Sequence, residues 1–174
     1  ERGLGVKRDI IAAIESYSEA AEKDEVKSIY RLGKLFHDGL EVKQNLDEAI
    51  SWYSKAAELG HLESKVNLAT IYYEKGEYEK ALALFQQTAE TDVRAMVALA
   101  VMHEEGQATQ RNPEKAIELL TKAAELKYEV ALYQLGLRYF EGKNVTQNKE
   151  IALNLIIKAA DMGYQAAKDF LENN

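Results

Sequence analysis

The sequence contains no cysteine, a single proline and no long apolar run among its 174 residues. Without cysteine the chain has no disulfide, no thiolate ligand for zinc and no thiol nucleophile. Scarce proline, combined with abundant Ala, Leu, Glu and Lys, favours helices over a β-sandwich or a β-barrel. A membrane-spanning helix needs about 20 apolar residues in succession, so the sequence predicts no direct insertion into a membrane.

Positive charge is also in short supply. The chain has 22 Lys and Arg against 29 Asp and Glu, which gives a formal net charge of −7. Proteins that bind nucleic acids need clustered cations to contact the phosphates, so this balance predicts no nucleic-acid partner. The apolar share of 47% and the charged share of 29% are typical of a folded domain and argue against a disordered chain.

A three-residue motif recurs along the whole chain. It reads AAE, TAE or AAD, and its copies begin at Ala20, Ala56, Thr88, Ala123 and Ala159. Successive copies are 36, 32, 35 and 36 residues apart. Before each copy stand a small residue and a large one at helical spacing, as in Ala49, Tyr53 and Ala56, so that all three lie on one helix face. We call this recurring segment helix B.

A second stripe lies between successive B helices, in a segment that we call helix A. A small residue at position 0 is followed by Leu at +4, Gly or Ala at +5 and a ring at +8, as at Ser28, Leu32 and Phe36. Glycine inside a helix costs about 1 kcal/mol relative to alanine. Gly33 and Gly136, both at +5, therefore predict close contact between helices.

Cap signals mark both ends of these helices. Glycines suited to a left-handed C-cap end the A helices at Gly39, Gly76, Gly106 and Gly142. Side chains suited to N-caps begin the B helices at Asp9, Asn45, Asn112 and Asn148. Glu48 is placed to complete a capping box with Asn45. Each repeat is therefore predicted to consist of helix A, a loop, helix B and a tight turn.

The alignment of the caps also predicts how the chain is divided. Gly3–Asp9 takes the same place as the later loops between helix A and helix B, and the last residues stop inside a helix A. We therefore expect both ends to be cuts through a longer array. The predicted repeat units are residues 1–24 (partial), 25–60, 61–92, 93–127, 128–163 and 164–174 (partial), all within one segment over residues 1–174.

The repeats share a characteristic set of residues, which are Gly3, Gly5, Val6, Asp9, Ala49, Trp52, Tyr53, Ala56, Ala57, Gly60, His61, Ala131, Leu135, Gly136, Tyr139 and Gly142. With this set the sequence resembles the Sel-1-like repeat (SLR), a relative of the tetratricopeptide repeat. One copy resembles the shorter tetratricopeptide loop, because Gly76 and Ala81 are 5 residues apart where Gly39 and Ala49 are 10 apart. The resemblance implies an all-α fold, a right-handed α-solenoid of stacked antiparallel helix pairs with repeats of about 36 residues.

The resemblance also implies what such a protein does. SLR proteins act as adaptors, so it predicts a non-enzymatic scaffold that binds a partner protein or peptide on the concave face of its A helices. Many bacterial members act in the cell envelope or in host contact, which favours an envelope or secreted location over the cytoplasm. The concave positions of the tetratricopeptide register give the candidate partner-binding residues Tyr30, Lys34, His37, Val66, Thr70, Tyr73, Val97, Val101, Glu104, Tyr133, Leu137 and Phe140.

Motifs that carry chemistry are few. The sequence has no Gly-rich phosphate loop, nucleophile elbow or Ser/His/Asp arrangement, so no catalytic residue, metal or cofactor is predicted. His103 occupies the ring position of helix A and is expected to be a packed, hydrogen-bonded residue. Asn144, Val145 and Thr146 fit a glycosylation sequon on a predicted loop.

Several alternatives remain open. A hydrolase would use His103 and nearby acids, whereas an RNA-binding repeat would need a basic groove, which the net charge argues against. Incomplete end repeats would pair two copies as a homodimer. The apolar side chains at the predicted concave positions would equally suit packing inside a tightly wound superhelix. Their exposure distinguishes a ligand groove from a packed face.

Overall fold

A computed structural model describes the backbone of residues 2–23 and 25–173, with side chains from residue 12 onward in those ranges. The described residues form ten helices and no strand, which confirms the all-α prediction. None of these helices is long and apolar enough to cross a bilayer. They are α1 (Arg2–Glu22), α2 (Val26–Asp38), α3 (Leu46–Glu58), α4 (Leu62–Glu74), α5 (Tyr78–Thr88), α6 (Val93–Glu105), α7 (Pro113–Glu125), α8 (Glu129–Glu141), α9 (Lys149–Asp161) and α10 (Gln165–Asn173).

The helices group into two compact units, Glu1–Leu84 and Phe85–Asn174, with α5 beginning in the first and ending in the second. The even-numbered helices are the A helices of the sequence pattern, and the odd-numbered ones are the B helices. In the first unit α1 packs on α2, α2 on α3 and α3 on α4. In the second, α6 packs on α7, α7 on α8, α8 on α9 and α9 on α10. Packing between neighbours in sequence is typical of helical repeats, while the division into six repeat units stays a prediction.

The predicted asparagine caps begin three of the B helices. The side-chain oxygens of Asn45, Asn112 and Asn148 each accept a hydrogen bond from the backbone N–H three residues ahead, at 3.2, 2.9 and 3.0 Å. The capping box is only half formed, because the N–H of Asn45 donates to the carbonyl of Phe36 at 2.9 Å and not to Glu48. This bond ties the start of helix B to the preceding helix A.

The predicted glycine caps end the A helices. Gly39, Gly106 and Gly142 have positive φ values of 65°, 73° and 74°. Helix α4 differs slightly, because its C-cap is Lys75 and the left-handed residue is the following Gly76, with a φ of 77°. Residues 75–77 connect α4 to α5, whereas residues 39–45 connect α2 to α3. The shorter loop agrees with the tetratricopeptide spacing in this copy.

The N-terminal segment departs from the prediction. The caps predict a loop over Gly3–Asp9, but helix α1 runs through it without a break, so the prediction is wrong. The side chains of these residues lie outside the described part of the chain. Later loops are anchored by a hydrogen bond such as that from Asn45 to Phe36. Through Gly3–Asp9 the backbone groups are paired by helical hydrogen bonds instead.

Helix A and helix B approach each other most closely where a small residue of one meets a large residue of the other. A Cβ atom built on Gly33 would lie 2.6 Å from Cδ1 of Tyr53, and one built on Gly136 would lie 2.7 Å from Cγ1 of Ile156. Tyr53 and Ile156 are fully buried. Both glycines therefore mark close helix contacts, as their cost to helix stability predicts.

Larger apolar clusters surround these contacts in each unit. In the first unit a cluster from α3 and α4 is covered by Tyr30 and Phe36 of α2, and its buried members are Ala49, Tyr53, Leu68 and Ile71. In the second unit α8, α9 and α10 share a cluster whose buried members are Leu132, Ile156, Ala159 and Ala167. Each helix pair thus completes its core with residues of the next helix.

We expect Gly33→Ala to destabilise the protein by about 1–3 kcal/mol, because the added methyl group overpacks against the Tyr53 ring. Alanine is intrinsically the better helix residue by about 1 kcal/mol, so the sign of the change separates overpacking from helix propensity. Urea unfolding measures the free energy.

Tyr53→Leu provides the matched background, because α6 and α7 carry Ala100 and Leu120 at the two corresponding positions. In that background Gly33→Ala is expected to be neutral or stabilising. An equal loss in both backgrounds would contradict the close contact.

Candidate functional site

The predicted partner-binding residues of the first unit lie on its two A helices, α2 and α4. Tyr30, His37, Thr70 and Tyr73 are half-buried, and Lys34 is exposed. Val66 is only 2% exposed, so it is a core residue that offers no surface to a ligand. The helix position that made Val66 a candidate for binding is also a position at which α4 packs. Spacing alone does not distinguish a binding residue from a core residue.

Tyr30 links α2 to the start of α4. Its hydroxyl donates a hydrogen bond to Oε1 of Glu63 at 2.6 Å, and its ring centroid lies 4.8 Å from that of His61. His61 in turn caps α4, because its Nδ1 accepts a hydrogen bond from the backbone N–H of Ser64 at 3.2 Å. Tyr30 is therefore held in place before any ligand arrives.

The hydroxyl of Tyr53 lies under the same face, although the residue belongs to helix B. Asn67 of α4 donates to it at 3.2 Å, and Nδ1 of His37 lies 3.5 Å from it. Burial raises the pKa of Tyr53 well above its ordinary value and outweighs the Asn67 hydrogen bond, which lowers the pKa. The hydroxyl consequently stays protonated and polar beneath His37.

Sequence reasoning missed Tyr53, His61, Glu63 and Asn67 as members of this network. Tyr53 appeared only as a core residue. Glu63 occupies a concave position of the register but was not among the candidate residues, and His61 and Asn67 lie outside the concave positions. The signal that could have identified Asn67 and Tyr53 is the +3 position of helix A, where Asn67 faces the preceding helix B. A polar residue at that position opposite a tyrosine predicts the hydrogen bond.

The predicted residues of the second unit are more apolar and more deeply packed. Val97 is 8% exposed and is therefore buried, so it is not accessible to a partner. Val101 and Leu137 are half-buried. The Tyr133 ring lies 5.3 Å from that of Tyr164, and the Phe140 ring lies 5.1 Å from that of Phe170. Helix α10 and the turn before it therefore cover part of the α8 face.

Glu104 is the clearest departure from the predicted site. It is 3% exposed, and Nη2 of Arg138 donates a hydrogen bond to its Oε2. Asn144 donates to Oε1 at 2.7 Å, and the Lys143 ammonium lies 3.2 Å from the same oxygen. The prediction that Glu104 contacts a partner is therefore wrong for this conformation, because its carboxylate is enclosed by cations and an amide of the next repeat.

The charges around Glu104 keep its carboxyl ionised. Burial alone would raise the pKa of Glu104, but the hydrogen bonds and positive charges of Arg138 and Lys143 outweigh it and lower the pKa below its ordinary value. Arg138 stands at position +7 of α8, where the other full A helices carry Leu35, Ile71 and Met102. The ion pair is thus a local replacement for an apolar contact between repeats.

The residues of the hydrolase alternative do not come together. His103 is half-buried, and its Nδ1 has no hydrogen-bond partner among the described residues. Glu104 binds Arg138, and Glu105 lies 4.0 Å from Lys143. Across the described ranges, no group of three or more His, Cys, Asp or Glu side chains is arranged to hold a metal ion. Among the described residues, no acid is hydrogen-bonded to Nδ1 of His103.

Comparison with known protein families identifies the repeat. Four segments match the Sel1 repeat, over residues 1–25, 26–61, 93–128 and 130–164, which together make up well over half of the chain. Residues 66–94 match a tetratricopeptide repeat instead. This second match includes the copy with the short loop, as its spacing predicts.

Solved structures show the same fold. A protective antigen of uropathogenic Escherichia coli that displays an SLR fold is 28% identical with a TM-score of 0.83, and the match covers 92% of this chain and 35% of that one. A Sel1 repeat protein from Oxalobacter formigenes is 23% identical with a TM-score of 0.76, covering 91% and 73%. An immunity protein from Pseudomonas aeruginosa is 18% identical with a TM-score of 0.62, covering 96% and 68%.

The chain spans about a third of the length of the E. coli protein. These structural similarities confirm the predicted fold class, an all-α helical solenoid.

We expect Glu104→Gln to cost about 3–5 kcal/mol at neutral pH, because it leaves the buried guanidinium of Arg138 without its counter-charge. The folded pKa of Glu104 is lowered, so its stabilising contribution is complete above the unfolded pKa of about 4.3 and is lost as the pH falls through the folded value. Urea unfolding of both proteins at neutral and acid pH should therefore show a difference that shrinks in acid.

The double variant Glu104→Leu/Arg138→Met is the control, since it restores an apolar contact like those of the other repeats. It is expected to be neutral or stabilising relative to the parent chain. A double variant as unstable as Glu104→Gln would contradict this interpretation of the pair.

Proposed function

The chain belongs to the Sel1 repeat family, and we propose that it is a non-enzymatic scaffold that binds a peptide or an extended segment of a partner protein along its A helices. Sel1 and tetratricopeptide repeats indicate a protein–protein interaction scaffold, and Sel1 proteins are generally non-catalytic. The binding face is proposed from the side chains that α2, α4, α6 and α8 leave accessible.

The observation that carries the proposal is the prepared, partly exposed face of the first unit. Tyr30 and Tyr73 supply aromatic surface of the kind that dominates binding energy at interfaces. Lys34, His37 and Thr70 lie beside them and supply polar groups that can fix the register of a bound chain. Because Tyr30 is already hydrogen-bonded to Glu63, binding loses little side-chain entropy there.

The second unit supports the proposal with a different chemistry. The accessible candidates there include three half-buried apolar residues, Val101, Leu137 and Phe140. The charged candidate of this unit, Glu104, is paired inside the protein with Arg138. A segment that contacts this unit would therefore be recognised by apolar side chains. The first unit favours polar and aromatic recognition, so we expect the two units to select segments of different chemistry.

Random-peptide display against the chain, followed by fluorescence anisotropy of each selected peptide, tests this proposal. Tyr73→Ala is expected to weaken binding by about tenfold or more, because it removes a central aromatic contact. Gln86→Ala is the matched control, since Gln86 is exposed on helix B. Selected peptides whose affinity responds to Gln86→Ala and not to Tyr73→Ala would contradict the proposed face.

A further inference from the structure

Four aromatic rings, which we call the aromatic cluster, join α8 to α10 and the turn before it in the second unit. The Tyr133 ring centroid lies 5.3 Å from that of Tyr164 and 6.3 Å from that of Phe170. The Phe140 ring lies 5.1 Å from that of Phe170, at an interplanar angle of 88°. All four residues are half-buried, so the rings pack on one another and still present aromatic surface to solvent.

Two carboxylates accompany these rings. Glu141 and Asp169 are exposed, and neither forms an ion pair with a cation among the described residues. Oδ1 of Asp169 accepts a hydrogen bond from the neutral amide of Gln165 at 2.7 Å. Burial raises the pKa of the Tyr133 hydroxyl, and Tyr164, Asp169 and Glu141 raise the pKa further. Both carboxylates therefore act on Tyr133, and no ion pair balances their negative charge.

A cation of the chain itself already contacts the aromatic cluster. The Lys149 ammonium lies 5.4 Å from the centroid of the Phe140 ring, a separation at which the negative face of an aromatic ring attracts positive charge. Among the described residues, no cation lies over the Tyr133 ring in this way. Lys149 thus shows which kind of group the aromatic cluster attracts, and it leaves the Tyr133 ring open to a second one.

The internal repeat shows that the Tyr133 hydroxyl is also available. Tyr30 and Tyr133 occupy the same position of helix A. The Tyr30 hydroxyl donates a hydrogen bond to Glu63 of the next helix A at 2.6 Å, but the residue of α10 that corresponds to Glu63 is Ala166. Within the described part of the chain, the Tyr133 hydroxyl has no hydrogen-bond partner. Its oxygen can therefore accept a hydrogen bond from a ligand.

We propose that the aromatic cluster binds a basic side chain of the partner segment, an arginine or a lysine. The cationic group lies against the Tyr133 ring, and the carboxylates of Glu141 and Asp169 are its counter-charges. The inference rests on the proposed function and specifies the partner's chemistry at one position. Val101 and Leu137 lie at other concave positions of the same unit, so the bound segment combines apolar side chains with one basic residue.

Titration of the 174-residue chain with N-acetyl-arginine methylamide, followed by nuclear magnetic resonance, tests the cation site without a peptide. The Tyr133 ring protons are expected to shift saturably. N-acetyl-citrulline methylamide has nearly the same shape without the charge and is expected to bind at least about fivefold more weakly. Equal affinity for the two compounds, or no saturation by arginine up to about 50 mM, would overturn the proposal.

Glu141→Gln/Asp169→Asn removes the counter-charges and keeps the rings. It should weaken binding of the arginine compound by about fivefold or more and reduce the dependence of that binding on salt. Glu125→Gln/Asp161→Asn is the matched control, because it removes two exposed acids from the B helices of the same unit and should leave binding unchanged. An equal loss in both double variants would reduce the effect to net charge and contradict the proposal.

Displayed peptides separate this inference from the proposed function. Peptides whose binding is weakened by Leu137→Ala contact the second unit, and we expect them to carry an Arg or a Lys. Replacing that residue by citrulline or norleucine should weaken binding to the parent chain by about fivefold, but much less to Glu141→Gln/Asp169→Asn. Peptides that depend on Leu137 without needing a basic residue would overturn this inference and leave the proposed function intact.

Discussion

The contact between a small residue of helix A and a large residue of helix B is the constraint on which the rest of the structure depends. Gly33 lets α2 lie directly on the Tyr53 ring, where a Cβ atom would be 2.6 Å from it. This approach does more than fill the core. It brings the Tyr53 hydroxyl up to His37 and Asn67, so the packing of the helix pair also positions polar groups beneath the proposed partner-binding face.

The two units apply the same packing rule with different side chains. In the first, neighbouring helices are joined by hydrogen bonds that include exposed groups, such as that of half-buried Tyr30 with exposed Glu63. In the second, a buried ion pair of Glu104 with Arg138 takes the place of an apolar contact. A buried ion pair stabilises less than its Coulomb energy implies, because both charges lose their hydration. The pair nevertheless joins α6 of one repeat directly to α8 of the next.

The sequence predicted those features whose causes are local. Helix periods, asparagine caps, left-handed glycines and the short loop near Gly76 all depend on residues within a few positions of one another. The Glu104–Arg138 pair joins residues 34 positions apart, and no local sequence pattern predicts it. The burial of Val66 and Val97 likewise depends on neighbouring helices. The loop predicted over Gly3–Asp9 was wrong although its signals were local, because helix α1 continues through them.

The most direct test of this account is a nuclear Overhauser experiment on the labelled chain that measures contacts between the Gly33 Hα protons and the Tyr53 ring protons. Close approach of α2 and α3 predicts strong cross-peaks between them, because the ring lies where a Gly33 side chain would stand. Weak or absent cross-peaks in the folded chain would contradict the central claim, since the helices would then be too far apart to bring the Tyr53 hydroxyl beneath His37.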